Sequence, residues 1–246
     1  MTLKAQVLFV AAHGPAFSGK DSVCKTLDQM LGKDTYRLTG RFAEPIYEMV
    51  RSQVPQAHSG MSKEEKERPR PELGGLSVRQ AMVAIGEGFR QFDKECWIKL
   101  WRHSLLTEVT QAITDGYYKV VVLVPDLRKQ DELLAFHGLP GDLAILLTKT
   151  LEAQAVTRPG RIWPLLQADS VVFQIYGQNA PENAQVNEAT ETRLPEGAED
   201  IPIINDHRLG KDNLFEHVRG SLRQNREGRL GELIDGLFNL SLKRER

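Results

Sequence analysis

The chain has 246 residues, 41% hydrophobic and 26% charged, enough apolar material for a full core. Its 32 Lys and Arg against 33 Asp and Glu give a formal net charge of -1, which argues against binding that relies on blanketing a phosphate backbone. Cys24 and Cys96 are too few for a disulfide scaffold and have no zinc spacing, so a reducing, cytoplasmic setting is expected.

In chain order, the apolar run Gln6 to Ala12 comes first. It leads directly into Gly14-Pro15-Ala16-Phe17-Ser18-Gly19-Lys20 with no small-residue cleavage pattern, and is read as a strand rather than a signal peptide. The longest apolar runs, Val7 to Ala12 and Val120 to Pro125, fall far short of the roughly 20 residues of a spanning helix, so no membrane segment is expected. Further runs of strand length lie at Tyr36 to Thr39, Tyr118 to Val124, Leu143 to Thr148 and Ile201 to Ile204. Unbroken Val and Leu at Val120 to Val124 suits a strand buried on both faces, as in a parallel sheet covered by helices.

Helical patterns lie between them. Val23, Leu27, Met30 and Leu31 form a stripe after the glycine-rich turn. Ser77 to Phe92 opens with the capping-box pattern Ser77-Val78-Arg79-Gln80, and Trp97, Trp101, Leu105, Val109 and Ile113 recur every four residues. Two helices are expected from about Leu214 and Leu230. Alternating strands and helices predict an α/β fold with right-handed crossovers. Three polar stretches, Gln56 to Gly75, Thr157 to Pro164 and Gly177 to Asp200, read as loops outside that core. The expectation is a single domain, residues 1–246, with inserted segments near 56–75 and 150–200.

The most informative segment is Gly14, four residues, then Gly19-Lys20-Asp21-Ser22. After a buried strand, such a turn aims successive N–H groups at phosphate oxygens, and the start of the next helix adds its positive partial charge. Gly14, Ser18, Gly19, Lys20, Asp21 and Ser22 are therefore read as a nucleotide-phosphate loop, with Lys20 reaching the terminal phosphates. Asp21 stands where a Walker A loop has Ser or Thr, and is read as a Mg²⁺ ligand, direct or through water. The plain alternative is a glycine-rich turn with a lysine at the helix start. Lys20 is expected to be partly exposed, so that its removal changes stability little.

The G-x-x-x-x-G-K-D-S loop resembles that of a subgroup of P-loop small-molecule kinases which includes phage deoxynucleoside monophosphate kinases. Leu76 to Arg90 (L-S-V-R-Q-A-M-V-A-I-G-E-G-F-R) is similar to their arginine-bearing nucleotide-binding helix. Val120 to Glu132 (V-V-V-L-V-P-D-L-R-K-Q-D-E) is similar to their strand followed by Asp-x-Arg. Ile203 to Leu214 resembles their last strand and docking helix. The resemblance implies a three-layer P-loop sandwich around a parallel sheet of about five strands, with mobile NMP-binding and lid segments. It implies ATP as donor, Mg²⁺, and a deoxynucleoside monophosphate as acceptor, in the host cytoplasm if phage-encoded. Expected partners are small-molecule nucleotides, with a homodimer left open, and no membrane or extended nucleic-acid interface.

Arg79 and Arg90 fall about 20° apart in projection on one helix, with Gly86 on that side leaving room for a ligand or another backbone. Their guanidinium forks suit an acceptor phosphate. Asp126 and Arg128 follow a strand whose ladder Pro125 is expected to end, beyond the carboxyl ends of the strands where ligands of open parallel sheets gather. There Asp126 is read as holding hydrated Mg²⁺ and Arg128 as gripping substrate phosphate or transition-state charge. Arg158 and Arg161 are read either as lid arginines closing over the phosphates or as two solvated arginines of a surface loop. The spacing of Trp97 and Trp101 favours core packing, while Phe42 and Tyr47 are weaker base-contact candidates. His13 reads as a buried neighbour of the loop and Cys24, one turn into the following helix, as a small core residue. Rival readings are a P-loop kinase for another small acceptor or for a modified base in DNA, and a nucleotide-binding module without turnover.

Overall fold

A computed structural model describes residues 3–14, 18–157, 164–178, 201–206, 210–225 and 228–240. The chain divides into two compact units, one of Met1–Thr39 with Leu106–Arg246 and the other of Gly40–Leu105.

The first unit is an α/β structure. Strands β1 (Lys4–His13), β2 (Tyr36–Thr39), β3 (Lys119–Leu127), β4 (Leu165–Gln178) and β5 (Ile201–Asp206) form one five-stranded sheet ordered β2-β3-β1-β4-β5. Every neighbouring pair is parallel. Because side chains alternate along a strand, Leu8, Val10 and Ala12 of β1 face one side and Val7, Phe9 and Ala11 the other; all six are fully buried. On the first side they join a core with α1 (Lys20–Met30), α7 (Gly210–Gln224) and α8 (Gly228–Leu237), including Val23, Leu27, Phe215, Val218, Leu233 and Ile234. Against β1 and β4 packs α6 (Gln130–Thr157), which buries Leu133, Phe136, Leu139, Leu143 and Leu147. A sheet buried on both faces explains why β1 and β3 read as nearly unbroken apolar runs.

Four expectations need correction here. Leu143 to Thr148 is helical, lying within α6, where Leu143 and Leu147 are buried and Ile145 is 59% exposed. A short apolar run does not distinguish strand from buried helix, and α6 continues through Pro140. Second, β4 occupies the middle of the segment expected as an insertion near 150–200. Asp169 and Ser170 disguise its first half, whereas Val171, Val172, Phe173 and Ile175 are buried strand formers. Third, Pro125 does not end β3, which continues to Leu127. Fourth, the stretch Gln56 to Gly75 contains α3 (Lys63–Glu67), started by a capping box between Ser62 and Glu65, and a 3-10 turn at Pro71–Leu73.

The second unit is helical: α2 (Glu44–Arg51), α3, α4 (Val78–Arg90) and the first turns of α5 (Cys96–Thr114). Its small core joins Tyr47, Val50 and Val54 to Val78 and Ala81. Ser77 caps α4 as expected, its hydroxyl accepting from Gln80 N–H while the Gln80 side chain accepts from Ser77 N–H. Trp97 and Trp101 are buried, and Trp101 stacks on Phe42 with ring centroids 3.9 Å apart. Phe42 and Tyr47 are thus core residues, at 8% and 5% exposure, and not base contacts. Among the described residues no helix is long and apolar enough to cross a membrane.

Candidate phosphate-binding site

In the order β2-β3-β1-β4-β5, the chain leaves β1 toward one edge and later crosses to the other, making the carboxyl end of β1 a topological switch point. Gly14 follows directly there. Its φ is 153°, and a Cβ at that position would lie 2.5 Å from the Ile175 carbonyl oxygen of β4 and 2.8 Å from Ser18 Oγ. The position therefore demands glycine on steric as well as conformational grounds. Gly19 ends the turn as N-cap of α1 with φ 94°, in the left-handed region, and its carbonyl accepts from Val23 N–H at 3.0 Å. A strand running into Gly14 and a helix start at Gly19, both glycines at positive φ, are the context that the loop pattern requires.

Lys20 is buried at 9% exposure, and its Nζ donates to the Gly14 carbonyl at 2.5 Å. This corrects the expectation of a partly exposed lysine: the side chain folds back along the turn rather than reaching into solvent. Ser18 is buried, whereas Asp21 and Ser22 are exposed on the first turn of α1. His13 and Cys24 are buried beside the turn.

The end of β3 is drawn to this turn by register. Ala11 lies opposite Val124 and His13 opposite Leu127, so Ala12 faces the two residues Pro125 and Asp126. Such a bulge bends the strand and re-aims the side chain it carries. Asp126 is half-buried there, and Arg128 is exposed just beyond.

Sequence reasoning missed Glu132. Its Oε2 accepts from Arg128 N–H at 2.8 Å and from Lys129 N–H at 3.0 Å, while the Lys129 carbonyl accepts from Leu133 N–H at 3.0 Å and begins α6. An acidic residue three positions into a helix is a readable capping signal, but Lys129 in place of Ser or Thr conceals it. Burial pushes the Glu132 carboxyl up to about 7, and the Asp126 and Asp131 carboxylates push the same way. The two N–H donors oppose the shift without cancelling it.

Arg79 and Arg90 both lie on α4, in the second unit. Arg79 pairs with Glu67 at 3.3 Å and Arg90 with Glu87 at 2.7 Å. Gly86 does not leave ligand room: it is buried, its carbonyl accepts from Trp97 Nε1 at 3.0 Å, and an added Cβ would sit 3.6 Å from Ile46 Cδ1. Gly86 is therefore a packing residue, set against Ile46 and Trp97. Arg158 and Arg161 lie outside the described residues. Among the described residues no group of three His, Cys, Asp or Glu is arranged to hold a metal ion.

No protein-family model matches the chain, and no curated protein matches it. Among solved structures, an unliganded sugar kinase from Janibacter sp. HTCC2649 is similar over 89% of this chain and 95% of its own, at 12% identity and a TM-score of 0.34. A likeness that distant carries no argument about this chain.

Proposed function

We propose that this chain is a P-loop kinase that transfers the γ-phosphoryl group of ATP to a nucleoside monophosphate. The observation that carries the reading is the turn from Gly14 to Lys20: two glycines in conformations that side chains resist, a helix start, and a lysine at the switch point of a parallel sheet. The order and spacing of the later segments, which resemble phage deoxynucleoside monophosphate kinases, support the monophosphate acceptor.

Phosphoryl transfer needs positioning and charge stabilisation more than a nucleophilic side chain. In this reading the turn amides and Lys20 hold the donor phosphates, and Arg128 grips substrate phosphate. Arg79 and Arg90 serve the acceptor once they exchange Glu67 and Glu87 for phosphate oxygens. Asp21 and Asp126 would hold Mg²⁺, which when bound neutralises charge on the phosphates. A Mg²⁺ site of one or two carboxylates completed by water and substrate phosphate needs no preformed cage, so the donor set fits the ion.

The test is ADP release with ATP, Mg²⁺ and a panel of acceptors. Stimulation by mononucleotides, deoxynucleoside monophosphates foremost, and not by nucleosides or polymeric DNA, is the expected result. ATP binding without acceptor-dependent turnover would replace the enzyme with a binding module.

A further inference from the structure

We infer that Glu132 is a positioning residue, stapling the end of β3 to the start of α6 so that Arg128 is presented to a phosphate from a fixed backbone. The inference rests on the kinase reading for the identity of that phosphate, and on geometry for the staple. One carboxylate oxygen takes both N–H groups, 2.8 Å from Arg128 and 3.0 Å from Lys129. Immediately upstream, the Pro125–Asp126 bulge has already interrupted the ladder to β1, leaving Leu127 opposite His13 as the last paired position. The backbone beyond Leu127 therefore leaves the sheet at Arg128, and Glu132 supplies the hydrogen bonds that the next ladder step would have made.

The contrast with the other arginines gives the staple its purpose. Arg79 and Arg90 are steadied through their guanidinium groups by Glu67 and Glu87. Arg128 is steadied through its main chain, and among the described residues no ion pair engages its exposed guanidinium. A backbone held in place beneath an exposed guanidinium is the arrangement that bidentate phosphate binding rewards, because less order remains to be imposed on binding.

Glu132→Ala and Glu132→Gln separate the staple from general stability. Gln keeps an acceptor oxygen where both N–H groups point; Ala does not. The expected result is that Glu132→Ala raises the mononucleotide KM about tenfold or more with the ATP KM within about twofold. Glu132→Gln should restore most of that loss. Amide hydrogen exchange at Arg128 and Lys129 should accelerate in Ala and not in Gln. Wild-type mononucleotide kinetics in Glu132→Ala, or equal loss in Ala and Gln, would overturn the inference. If the wild-type chain forms no acceptor-dependent ADP, the kinase reading fails by itself. The staple is then judged on exchange, where unchanged protection of both amides in Glu132→Ala overturns it.

Discussion

The side-chain amine of Lys20 donates to the carbonyl of Gly14 across 2.5 Å, so the two ends of the glycine-rich turn are tied by the turn's own lysine. An ammonium group has three donors, so Lys20 can keep this bond and still meet a phosphate oxygen. The tie makes the lysine both a structural and a functional group. Lys20→Ala is expected to lower phosphoryl transfer on the order of 10²–10³-fold, the usual effect of losing one group that stabilises transition-state charge. It is also expected to cost about 1–2 kcal/mol of stability, since a charge-assisted hydrogen bond disappears. Steady-state kinetics and urea denaturation of the same preparation measure the two effects; a folded variant with near wild-type turnover refutes the phosphate-loop assignment.

Gly14 and Gly141 make a matched pair of glycine substitutions. A Cβ at Gly14 meets a backbone oxygen at 2.5 Å and a φ of 153°, whereas at Gly141, inside α6, it meets nothing within 4 Å. Gly14→Ala should therefore destabilise by roughly 2–4 kcal/mol. Gly141→Ala should stabilise by about 0.5–1 kcal/mol, because alanine is the better helix former. Denaturation midpoints of opposite sign relative to wild type are the expected outcome.

Glu132 should leave a signature in the pH dependence of stability. Its carboxyl rises from an ordinary 4.5 to about 7 on folding, so between those values the folded chain binds more protons than the unfolded one. Stability from this group then falls as pH rises through that window: there is no penalty below 4.5, and the full penalty holds above about 7. Glu132→Gln cannot titrate and should gain on wild type across the same window. The gain levels off at about 1–3 kcal/mol, the upper figure discounted from the full shift because the side chain is partly exposed. Denaturation series at pH 4, 5, 6, 7 and 8 measure it; a constant difference across the series would refute the assignment.

Arg79→Lys and Arg128→Lys test the acceptor arginines. Each keeps the charge and loses the planar fork, so acceptor use should fall while ATP binding stays nearly unchanged. A tenfold or greater rise in mononucleotide KM is about 1.4 kcal/mol of lost binding, within reach of one bidentate contact. If mononucleotides drive turnover but both variants behave as wild type, the function stands and these residues are not the acceptor grip.

What could be read in advance followed from local rules. Glycine spacing before a lysine marked the turn, because φ values such as those of Gly14 and Gly19 tolerate little else. Ser77 and Gln80 marked the start of α4, because the capping box is a contact between near neighbours. The spacing of Trp97 and Trp101 by four residues placed both in the core. Local rules failed where an element is defined by what lies across from it. Leu143 to Thr148 has strand-like composition but takes the helical conformation that lets Leu143 and Leu147 continue the buried row of Leu133, Phe136 and Leu139. β4 is a strand because β1 and β5 pair with it on either side, despite the polar residues in its first half.

The same division holds for the site. The sequence by itself determined the turn, its lysine, the parallel α/β class and the chain position of the Asp126–Arg128 segment, since these depend on residue type and short spacing. Only the tertiary structure decided that Lys20 turns back onto Gly14, that Gly14 abuts the Ile175 carbonyl, and that Phe42 belongs to Trp101. It alone set Ala12 opposite both Pro125 and Asp126, and bound Glu132 to the backbone that carries Arg128. Those are facts of register and burial: they join segments distant in the chain or turn on where a side chain points, and no propensity of a single residue encodes them.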